Sequence, residues 1–517
     1  MKKSLIVLSI STLFSACKTD HPPLKPSVDV VNSSYYKEEF RPQYHFSPKT
    51  SWMNDPNGLV YNNGTYHLFY QYFPDDIVWG PMHWGHAISK DLVNWEHKKI
   101  ALYPDDMGYI FSGSAILDKN NSSGLGTEEN PPLIAVFTYH DPNKEKKGDV
   151  DFQFQGLAYS IDNGDTWNKF KDNPIIPNTT GIRDFRDPKL FWNDQINQWT
   201  IALVVKDHVQ LWKSSNLKDW SHMSSFGKEL GSHGGVWECP DLFEMKVEGS
   251  NETKWVSLVS INPGAPNGGS GTQYFVGDFD GVDFTTDQKT SKWIDGGTDN
   301  YAGVTYNDTP HGERIFIGWM SNWSYAPDIP TSTWRSSMTV ARVLKLKIVN
   351  GEFVLFSSPV DAFDKLIEES NTMNFELGAL EEKLIPFTNI ETAEIKFSAT
   401  DDFSLRFEND KGELLKCTFL TSKNEVIIDR SKSGMVDFNP NFFPLIKSPI
   451  DFNMQSYSVR ILLDKSSMEI FINDGQGVVT TRHFNTQPFS GIRIINEAQH
   501  STHLEGFQLS PIKSIWN

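Results

Sequence analysis

The order of apolar and polar residues along most of the chain is typical of short β-strands separated by turns. Runs of alternating residues end at segments such as YNNG at 61–64 and NDQ at 193–195, where asparagine, aspartate and glycine favour tight bends. Few segments have a spacing of apolar residues that predicts a helix, and 362–369 is the main exception. The pattern therefore predicts an all-β protein.

One kind of strand recurs five times, with copies that start at positions 58, 113, 188, 240 and 302. The steps between these starts are 55, 75, 52 and 62 residues, and a four-stranded propeller blade takes about 40–50 residues. A polar turn ahead of a tryptophan is repeated between the strands, at Trp95, Trp167 and Trp220. We therefore predict a five-bladed β-propeller over residues 40–358, with insertions in its blades.

The last part of the chain has a cleaner alternation. After a linker at 359–373, which contains the predicted short helix, strands such as 459–463 and 468–472 alternate regularly and are followed by an Asn-Asp-Gly turn at 473–475. This pattern is typical of an antiparallel β-sandwich, predicted over residues 374–517. No group of reactive side chains stands out there, so we expect this domain to support the propeller, with sugar binding as an alternative.

Residues 1–16 predict a signal peptide, because a basic start precedes an apolar run, 4–14, too short for a bilayer, which takes about 20 residues. The run ends in LFSAC, which resembles a bacterial lipobox, although Phe14 stands where an aliphatic residue is usual. We therefore expect an exported lipoprotein, held at the outer membrane by a lipidated Cys17 and a flexible tether at 17–39. Plain signal cleavage beside an incidental cysteine stays open, as does exposure at the cell surface.

Composition excludes some classes of partner. The chain has 47 Lys and Arg against 65 Asp and Glu, a formal charge of −18, whereas nucleic-acid binders need a concentrated basic face. Three cysteines in 517 residues are too few for a disulfide framework. The 13% of aromatic residues suit strand packing and also stacking on sugars. We expect a monomer that contacts no nucleic acid and meets the membrane only through its lipid anchor.

Three of the five repeated strands are preceded by an acid close to a proline. Asp55 and Asp187 directly precede a proline, and Glu238 lies two residues before one. A single Asp-Pro is usually a turn, but the recurrence favours a site, since the inner strands of a propeller converge at one mouth of its funnel. Neighbouring carboxylates push their pKa values apart, so that one keeps its proton while another is ionised. Glycoside hydrolysis needs such a pair.

The residues around these acids resemble the three signatures of glycoside hydrolase family 32. They are WMNDPNG at 52–58, FRDP at 185–188 and WECP at 237–240, and the likeness extends to 464–475 near the end of the chain. The family includes invertases, inulinases and levanases. The resemblance implies the fold, a five-bladed propeller followed by a β-sandwich, which agrees with the repeats.

The resemblance also implies a role for each acid. Asp55 corresponds to the nucleophile that attacks the anomeric C2 of a fructosyl unit, Glu238 to the acid/base and Asp187 to the transition-state stabiliser. Such a reaction retains configuration through a covalent intermediate, and we expect the carboxyl groups of Asp55 and Glu238 to lie about 5–5.5 Å apart. Neither a metal nor a cofactor is needed.

A pocket for the terminal fructose is implied as well. The residues that fit the family pattern are Asn54, Gln71, Trp79, Phe111, Ser112 and Arg186, with Asp299, Tyr301 and Trp319 as further lining residues. Two of them have alternatives, because the alternation could turn Gln71 to solvent and Trp79 could belong to the core. His83 and His86 suggest a metal pair, but without further ligands we interpret them as structural. Cys239 lacks an evident histidine partner and is interpreted as a packing residue.

The segment GWMSNWSYAPDIPT at 318–331 resembles the levanase and exo-inulinase branch. Because surface anchoring also favours a polymer, the sequence predicts a β-fructosidase of fructans, with levan slightly ahead of inulin and the choice between exo and endo action open. One alternative is a hydrolase of sucrose and short fructooligosaccharides. Another alternative is a non-catalytic fructan-binding lipoprotein. Such a protein should lack at least one of the three acids, whereas none is missing here. A sialidase-like propeller, suggested by the turn at 160–167, needs an arginine cluster, whereas only Arg183 and Arg186 lie together.

Overall fold

The computed structural model describes residues 35–452 and 456–516. The predicted signal peptide, Cys17 and most of the tether lie outside the described residues, so export and lipidation stay predictions. Within the described ranges, none of the helices has the length and apolar character needed to cross a membrane.

Residues 51–359 form five mainly antiparallel sheets in succession. The first two sheets contain β1 (Ser51–Asn62), β2 (Thr65–Phe73), β3 (His83–Ser89), β4 (Trp95–His97), β5 (Tyr109–Leu117), β6 (Leu133–His140), β7 (Gln153–Ser160) and β8 (Asn168–Lys169). The third and fourth contain β9 (Phe185–Asn193), β10 (Gln198–Val205), β11 (His208–Ser214), β12 (Ser221–Phe226), β13 (Val236–Lys246), β14 (Thr253–Asn262), β15 (Gly271–Phe279), β16 (Phe284–Thr285) and β17 (Lys292–Trp293). The fifth contains β18 (Tyr301–Thr305), β19 (Arg314–Trp319), β21 (Arg342–Val349) and β22 (Glu352–Pro359), while β20 (Trp334–Arg335) pairs in parallel with β1.

The five sheets are the blades of a closed ring. The first strand of each sheet contacts the first strand of the next, and β18 contacts β1. These inner strands, β1, β5, β9, β13 and β18, contain the five repeated segments. The predicted five-bladed propeller is therefore confirmed.

The remaining strands form two packed six-stranded sheets. They are β23 (Met373–Leu377), β24 (Glu382–Ile390), β25 (Ala393–Ala399), β26 (Phe403–Glu408), β27 (Leu414–Leu420), β28 (Glu425–Lys432), β29 (Leu445–Pro449), β30 (Tyr457–Asp464), β31 (Ser467–Ile472), β32 (Gly477–Arg482), β33 (Phe489–Asn496) and β34 (Thr502–Pro511). The sheet orders are β23-β34-β25-β30-β31-β32 and β24-β33-β26-β27-β28-β29. The core lies between the two sheets and contains alternate residues of β27, namely Leu415, Cys417 and Phe419. The predicted sandwich is confirmed.

Helical structure is scarce in the described chain and differs from the prediction. The segment predicted as a helix forms only a 3-10 turn, Asp361–Leu366, whose buried residues Phe363 and Leu366 have the three-residue spacing of that geometry. A short α-helix, α1 (Pro142–Lys147), was not predicted, because it buries no residue and so has no apolar periodicity. Other 3-10 turns are Pro310–Gly312, Ala326–Asp328 and Thr421–Lys423.

Polar side chains join the inner strands around the axis of the propeller. Lys189 Nζ of β9 lies 3.0 Å from Asp241 Oδ2 of β13, and the same oxygen accepts the N–H of Thr305 of β18 at 2.7 Å. Ser114 of β5 donates to the carbonyl of Pro188 at 2.8 Å. Every one of these buried polar groups has a partner, as burial requires. The contacts hold neighbouring inner strands in fixed relative positions.

A buried ionic network joins the propeller to the sandwich. His45 Nδ1 lies 2.8 Å from Asp464 Oδ2, and its Nε2 lies 2.7 Å from Glu469 Oε1. Arg342 of the propeller binds Glu469 of the sandwich and lies 3.1 Å from Asp295. These side chains are buried, so each charge depends on its partners.

Candidate active site

A cavity of about 410 Å³ lies at the starts of the inner strands. The predicted site residues that line it are Asn54, Asp55, Gln71, Trp79, Phe111, Ser112, Arg186, Asp187 and Glu238. Gln71 thus faces the cavity and not solvent, and Trp79 is 42% exposed and does not belong to the core. Residues from four blades, far apart in the chain, meet in one cavity.

The inner strands depart from regular pairing where they reach the cavity. The register shifts across residues 54–55, 111–112, 187–188, 239–240 and 302–303. Pro188 and Pro240 lie in two of these interruptions, and proline has no N–H for a strand ladder. A β-bulge re-aims side chains, so the acid-proline motifs of the sequence turn their acids toward the cavity.

Three of the interruptions place a residue in an unusual backbone conformation. Asp187, Cys239 and Ala302 have φ angles of 65°, 45° and 53°. Residues other than glycine seldom adopt positive φ, and such strain is concentrated at functional sites. The equivalent positions in three neighbouring blades share this feature.

The carboxylate of Asp55 is oriented by two donors. Asn54 Nδ2 donates to Oδ1 at 2.9 Å, and Ser112 Oγ donates to Oδ2 at 2.9 Å. The Sγ of Cys239 lies 3.5 Å from the same Oδ2. The carboxylate therefore has a defined orientation within the cavity.

Asp187 is buried beside Asp55. Its Oδ2 accepts the backbone N–H of Cys239 at 3.0 Å, and its own N–H donates to Thr138 Oγ1 at 2.9 Å. Burial raises the pKa of Asp187 to about 6; the charge of Arg186 opposes the shift and the charge of Asp55 adds to it. Asp187 is thus a weaker acid than an ordinary aspartate.

Glu238 receives hydrogen bonds on both oxygens. Arg186 donates to Oε1 from Nη2 at 2.9 Å and from Nε at 3.2 Å, and the hydroxyl of Tyr301 donates to Oε2. Burial raises the pKa of Glu238 to about 7, against the charge of Arg186 and with that of Asp187. A carboxyl group that keeps its proton near neutral pH suits general acid catalysis.

Arg186 connects the acids. Its Nη1 donates to Asp184 Oδ1 at 2.7 Å and its Nε lies 3.9 Å from Asp187 Oδ2. Burial alone would lower the pKa of Arg186, but the charges of Glu238, Asp187 and Asp184 raise it above its usual value. The guanidinium is therefore a permanent cation among the carboxyl groups of Glu238, Asp187 and Asp184.

Cys239 contacts both aspartates, which sequence reasoning did not predict. Its Sγ lies 3.5 Å from Asp55 Oδ2 and 3.8 Å from Asp187 Oδ2. Burial raises the pKa of the thiol well above its usual value, so it stays protonated. A protonated thiol is no nucleophile, and its place between two carboxylates makes it a contact residue of the site.

The prediction that Asp299 lines the pocket is wrong. Asp299 is fully buried, where its Oδ2 accepts hydrogen bonds from Arg430 Nη1 and the backbone N–H of Arg482, both at 3.0 Å. Tyr325 donates to its Oδ1 at 2.7 Å. Its partners include two residues of the sandwich, so the side chain joins the domains.

Trp319 and Tyr301 lie behind the cavity wall. Trp319 is fully buried with its ring centroid 4.9 Å from that of Trp323, which lines the cavity in its place; the prediction for Trp319 is therefore wrong. Tyr301 is 1% exposed and reaches the site through its bond to Glu238. It contacts the candidate acid and is not part of the lining.

Seven lining residues were not predicted as site residues. They are His140, Glu145, Phe152, Gln153, Arg183, Asp184 and Trp323. Arg183 and Asp184 directly precede the FRDP motif, a signal that could have found them. The first four lie on the hairpin between β6 and β7, where no motif marks them.

The described residues contain no group of three or more His, Cys, Asp and Glu side chains placed to hold a metal ion. His83 Nδ1 lies 2.9 Å from the carbonyl oxygen of Pro81, and His86 Nε2 lies 3.1 Å from His67 Nδ1. Both histidines thus have structural partners.

Comparison with known proteins covers nearly all of the described chain. Residues 45–359 match the Glycosyl hydrolases family 32 N-terminal domain, and residues 363–511 match the Glycosyl hydrolases family 32 C terminal. A levanase from Bacillus subtilis (strain 168) is 42% identical over 534 residues, which span 100% of this chain and 76% of the relative. A crystal structure of exo-inulinase from Aspergillus awamori has a TM-score of 0.85 at 35% identity, covering 93% of this chain and 100% of that one. A fructofuranosidase from Schwanniomyces occidentalis complexed with fructose has a TM-score of 0.78 at 30% identity, covering 92% of this chain and 99% of that one.

Proposed function

The chain belongs to glycoside hydrolase family 32 and is a β-fructosidase, and on that premise we propose that it hydrolyses fructans with retention of configuration. The similarity to a levanase supports levan as the preferred polymer, and the similarity to an exo-inulinase supports inulin as the next. Sucrose and short fructooligosaccharides are the alternative substrates, supported by the likeness to a fructofuranosidase.

The proposed reaction has two steps. In the first, the Asp55 carboxylate attacks C2 of the terminal fructosyl unit while Glu238 gives its proton to the departing glycosidic oxygen, and the C2–O bond breaks. In the second, the Glu238 carboxylate takes a proton from water, whose oxygen attacks C2 and displaces Asp55. Both acids return to their starting protonation states, and two inversions at C2 retain the configuration.

Asp187 and Arg186 hold the sugar in this proposal. Asp187 accepts hydrogen bonds from fructose hydroxyls as positive charge develops on the ring. Arg186 is positioned by Asp184 and Glu238 and can donate to further hydroxyls from its planar guanidinium. Asn54, Gln71 and Ser112 complete a polar pocket around a neutral sugar.

One observation carries the proposal: the pKa of Glu238 is raised to about 7 in the same cavity in which Asn54 and Ser112 orient the Asp55 carboxylate. A retaining glycosidase needs a protonated acid and an oriented carboxylate at one glycosidic bond. The expected separation of the two carboxyl groups stays a prediction.

The test is release of sugar from levan, inulin and sucrose by the full chain, assayed side by side. Fructose as the sole early product from a polymer indicates exo action, whereas a ladder of oligosaccharides indicates endo action. Carbon-13 NMR of the anomeric C2 in the first product reports retention or inversion. Absence of fructose and of oligosaccharides from all three substrates would contradict the proposed function.

A further inference from the structure

We propose that Arg183, held by Glu145, binds the leaving-group sugar, the unit on the far side of the bond that is cleaved. The proposal rests on the proposed function, because it takes Glu238 to face the departing oxygen. It assigns a binding role to the hairpin between β6 and β7 and to the residues just before β9.

From Glu238, a chain of polar contacts runs along the cavity wall. Arg186 binds Glu238 and Asp184, and its Nη1 lies 3.4 Å from Gln153 Oε1. Gln153 is the first residue of β7. All of these side chains line the cavity. We take a sugar unit that leaves past Glu238 to meet the wall formed by this hairpin and by the residues before β9.

The hairpin presents Glu145 at this wall. Its connecting segment, 141–152, contains α1, which is capped by the side chain of Asp141 at one end and by Gly148 at the other. The helix buries no residue, so packing does not explain its presence. It places Glu145 beside the cavity.

Glu145 is the acceptor for two neighbours. Gln153 Nε2 lies 3.4 Å from His140 Nδ1, so the ring proton belongs on Nε2, which lies 2.9 Å from Glu145 Oε2. Arg183 Nη2 donates to Glu145 Oε1 at 2.9 Å. The carboxylate thereby connects Arg183 to His140, the last residue of β6.

Arg183 is positioned but open to a ligand. Its side chain is 59% exposed, and its guanidinium lies 5.1 Å from the ring centroid of the buried Phe152. Exposed ion pairs add little to stability, so folding does not explain the pair. A guanidinium carries five N–H donors, and one of them binds Glu145 in the described chain. The others can donate to sugar hydroxyls.

The chemistry of the wall suits a neutral, hydroxyl-rich ligand. The charge of Arg183 is balanced by Glu145, and Asp184 adds a further acceptor. A planar donor fork beside carboxylate acceptors matches adjacent hydroxyls of a sugar ring. The site therefore fits the second unit of a fructan or the glucosyl unit of sucrose.

The experiment compares full-length wild type, Arg183→Met and Glu145→Gln, with Lys147→Met as the control on the exposed face of α1. The substrates are levan, inulin, sucrose and methyl β-fructofuranoside, whose leaving group has no sugar ring, and fructose inhibition reports on the pocket around Asp55. We expect Arg183→Met to lower kcat/KM for the three sugar leaving groups by about tenfold, the effect of losing a charged hydrogen bond. Glu145→Gln is expected to lower it by about threefold, since the amide keeps an acceptor.

The same variants should leave kcat/KM for the methyl fructoside and the inhibition constant of fructose unchanged, and Lys147→Met should match wild type throughout. Equal kcat/KM values for Arg183→Met and wild type would overturn the inference. An equally large loss of kcat/KM for the methyl fructoside, together with weaker fructose inhibition, would also overturn it. The substitution would then disturb the fructose pocket through Arg186. A wild type that is inactive on all four substrates would instead overturn the proposed function, and the inference with it.

Discussion

The hydroxyl of Tyr301 donates a hydrogen bond to Glu238, the candidate acid, from the first residue of the fifth inner strand. Arg186 donates to the other oxygen of the same carboxyl group. Hydrogen bonds to the ionised form lower a pKa, whereas burial raises it. Burial, with the charges of Asp187 and Asp55 adding to it, raises the pKa of Glu238 to about 7 against the charge and hydrogen bond of Arg186.

Replacing Glu238 with alanine should nearly abolish fructose release from sugar leaving groups, by roughly 10²–10⁴-fold, because the departing oxygen then leaves without a proton. A p-nitrophenyl fructoside, whose leaving group needs no protonation, should lose much less activity. Steady-state kinetics on both substrates measure the effect, and circular dichroism controls for the fold. Wild-type turnover of sucrose and levan by Glu238→Ala would remove the acid assignment.

The activity should fall as the pH rises through about 7. Glu238 must be protonated in the free enzyme to act as the acid, and its pKa is raised to about 7, so the active form is present below that pH and is lost above it. The measurement is kcat/KM for sucrose from pH 5 to pH 9. A profile that is flat across this range would contradict the role of Glu238.

Tyr301→Phe should move the basic limb of that profile to higher pH. The variant loses a donor to the ionised carboxylate, which raises the pKa of Glu238. Phenylalanine keeps the ring in the core, so the thermal midpoint should change little. Tyr66→Phe, at another tyrosine of the same core, is the control. An unshifted limb would show that the bond does not affect the titration of Glu238.

Arg430→Met should destabilise the protein without changing the fructose pocket. Asp299 would remain buried without its ionic partner, which costs about 3–5 kcal/mol. Lys465→Met, which removes an ion pair with the half-exposed Glu391, should cost only about 0–1 kcal/mol. Denaturant unfolding measures both, and fructose inhibition of the folded variant tests the pocket. Equal stability losses in the two variants would contradict the interpretation of Asp299 as a buried contact between domains.

The stability of the protein should also depend on His45. Its pKa is raised from 6.5 to about 9 by Asp464 and Glu469, which outweigh burial. A raised pKa contributes stability that is complete below pH 6.5 and is lost as the pH rises through about 9, on the order of 3 kcal/mol. Unfolding free energy measured from pH 6 to pH 10 should fall in wild type and vary less in His45→Gln. Parallel curves would contradict the linkage.

Much of the site could be predicted because its motifs act locally. Asp187 and Glu238 belong to segments whose prolines interrupt strand pairing, so the change of direction depends on adjacent residues. Asp299 occupies a similar place ahead of the fifth inner strand, and there the prediction is wrong. Its partner Arg430 is 131 residues away in the chain, and no local pattern indicates such a contact.

By itself, the sequence determined the strand repeats, the number of blades and the positions of the three acids that meet in the cavity. Strand alternation and the interruption of strands by proline both depend on neighbouring residues, so they can be recognised along the chain. Only the tertiary structure decided that Cys239 lies against two carboxylates and that Glu145 holds Arg183 at the cavity wall. These contacts join separate strands and hairpins, and side chains that meet across blades leave no periodic pattern along the chain.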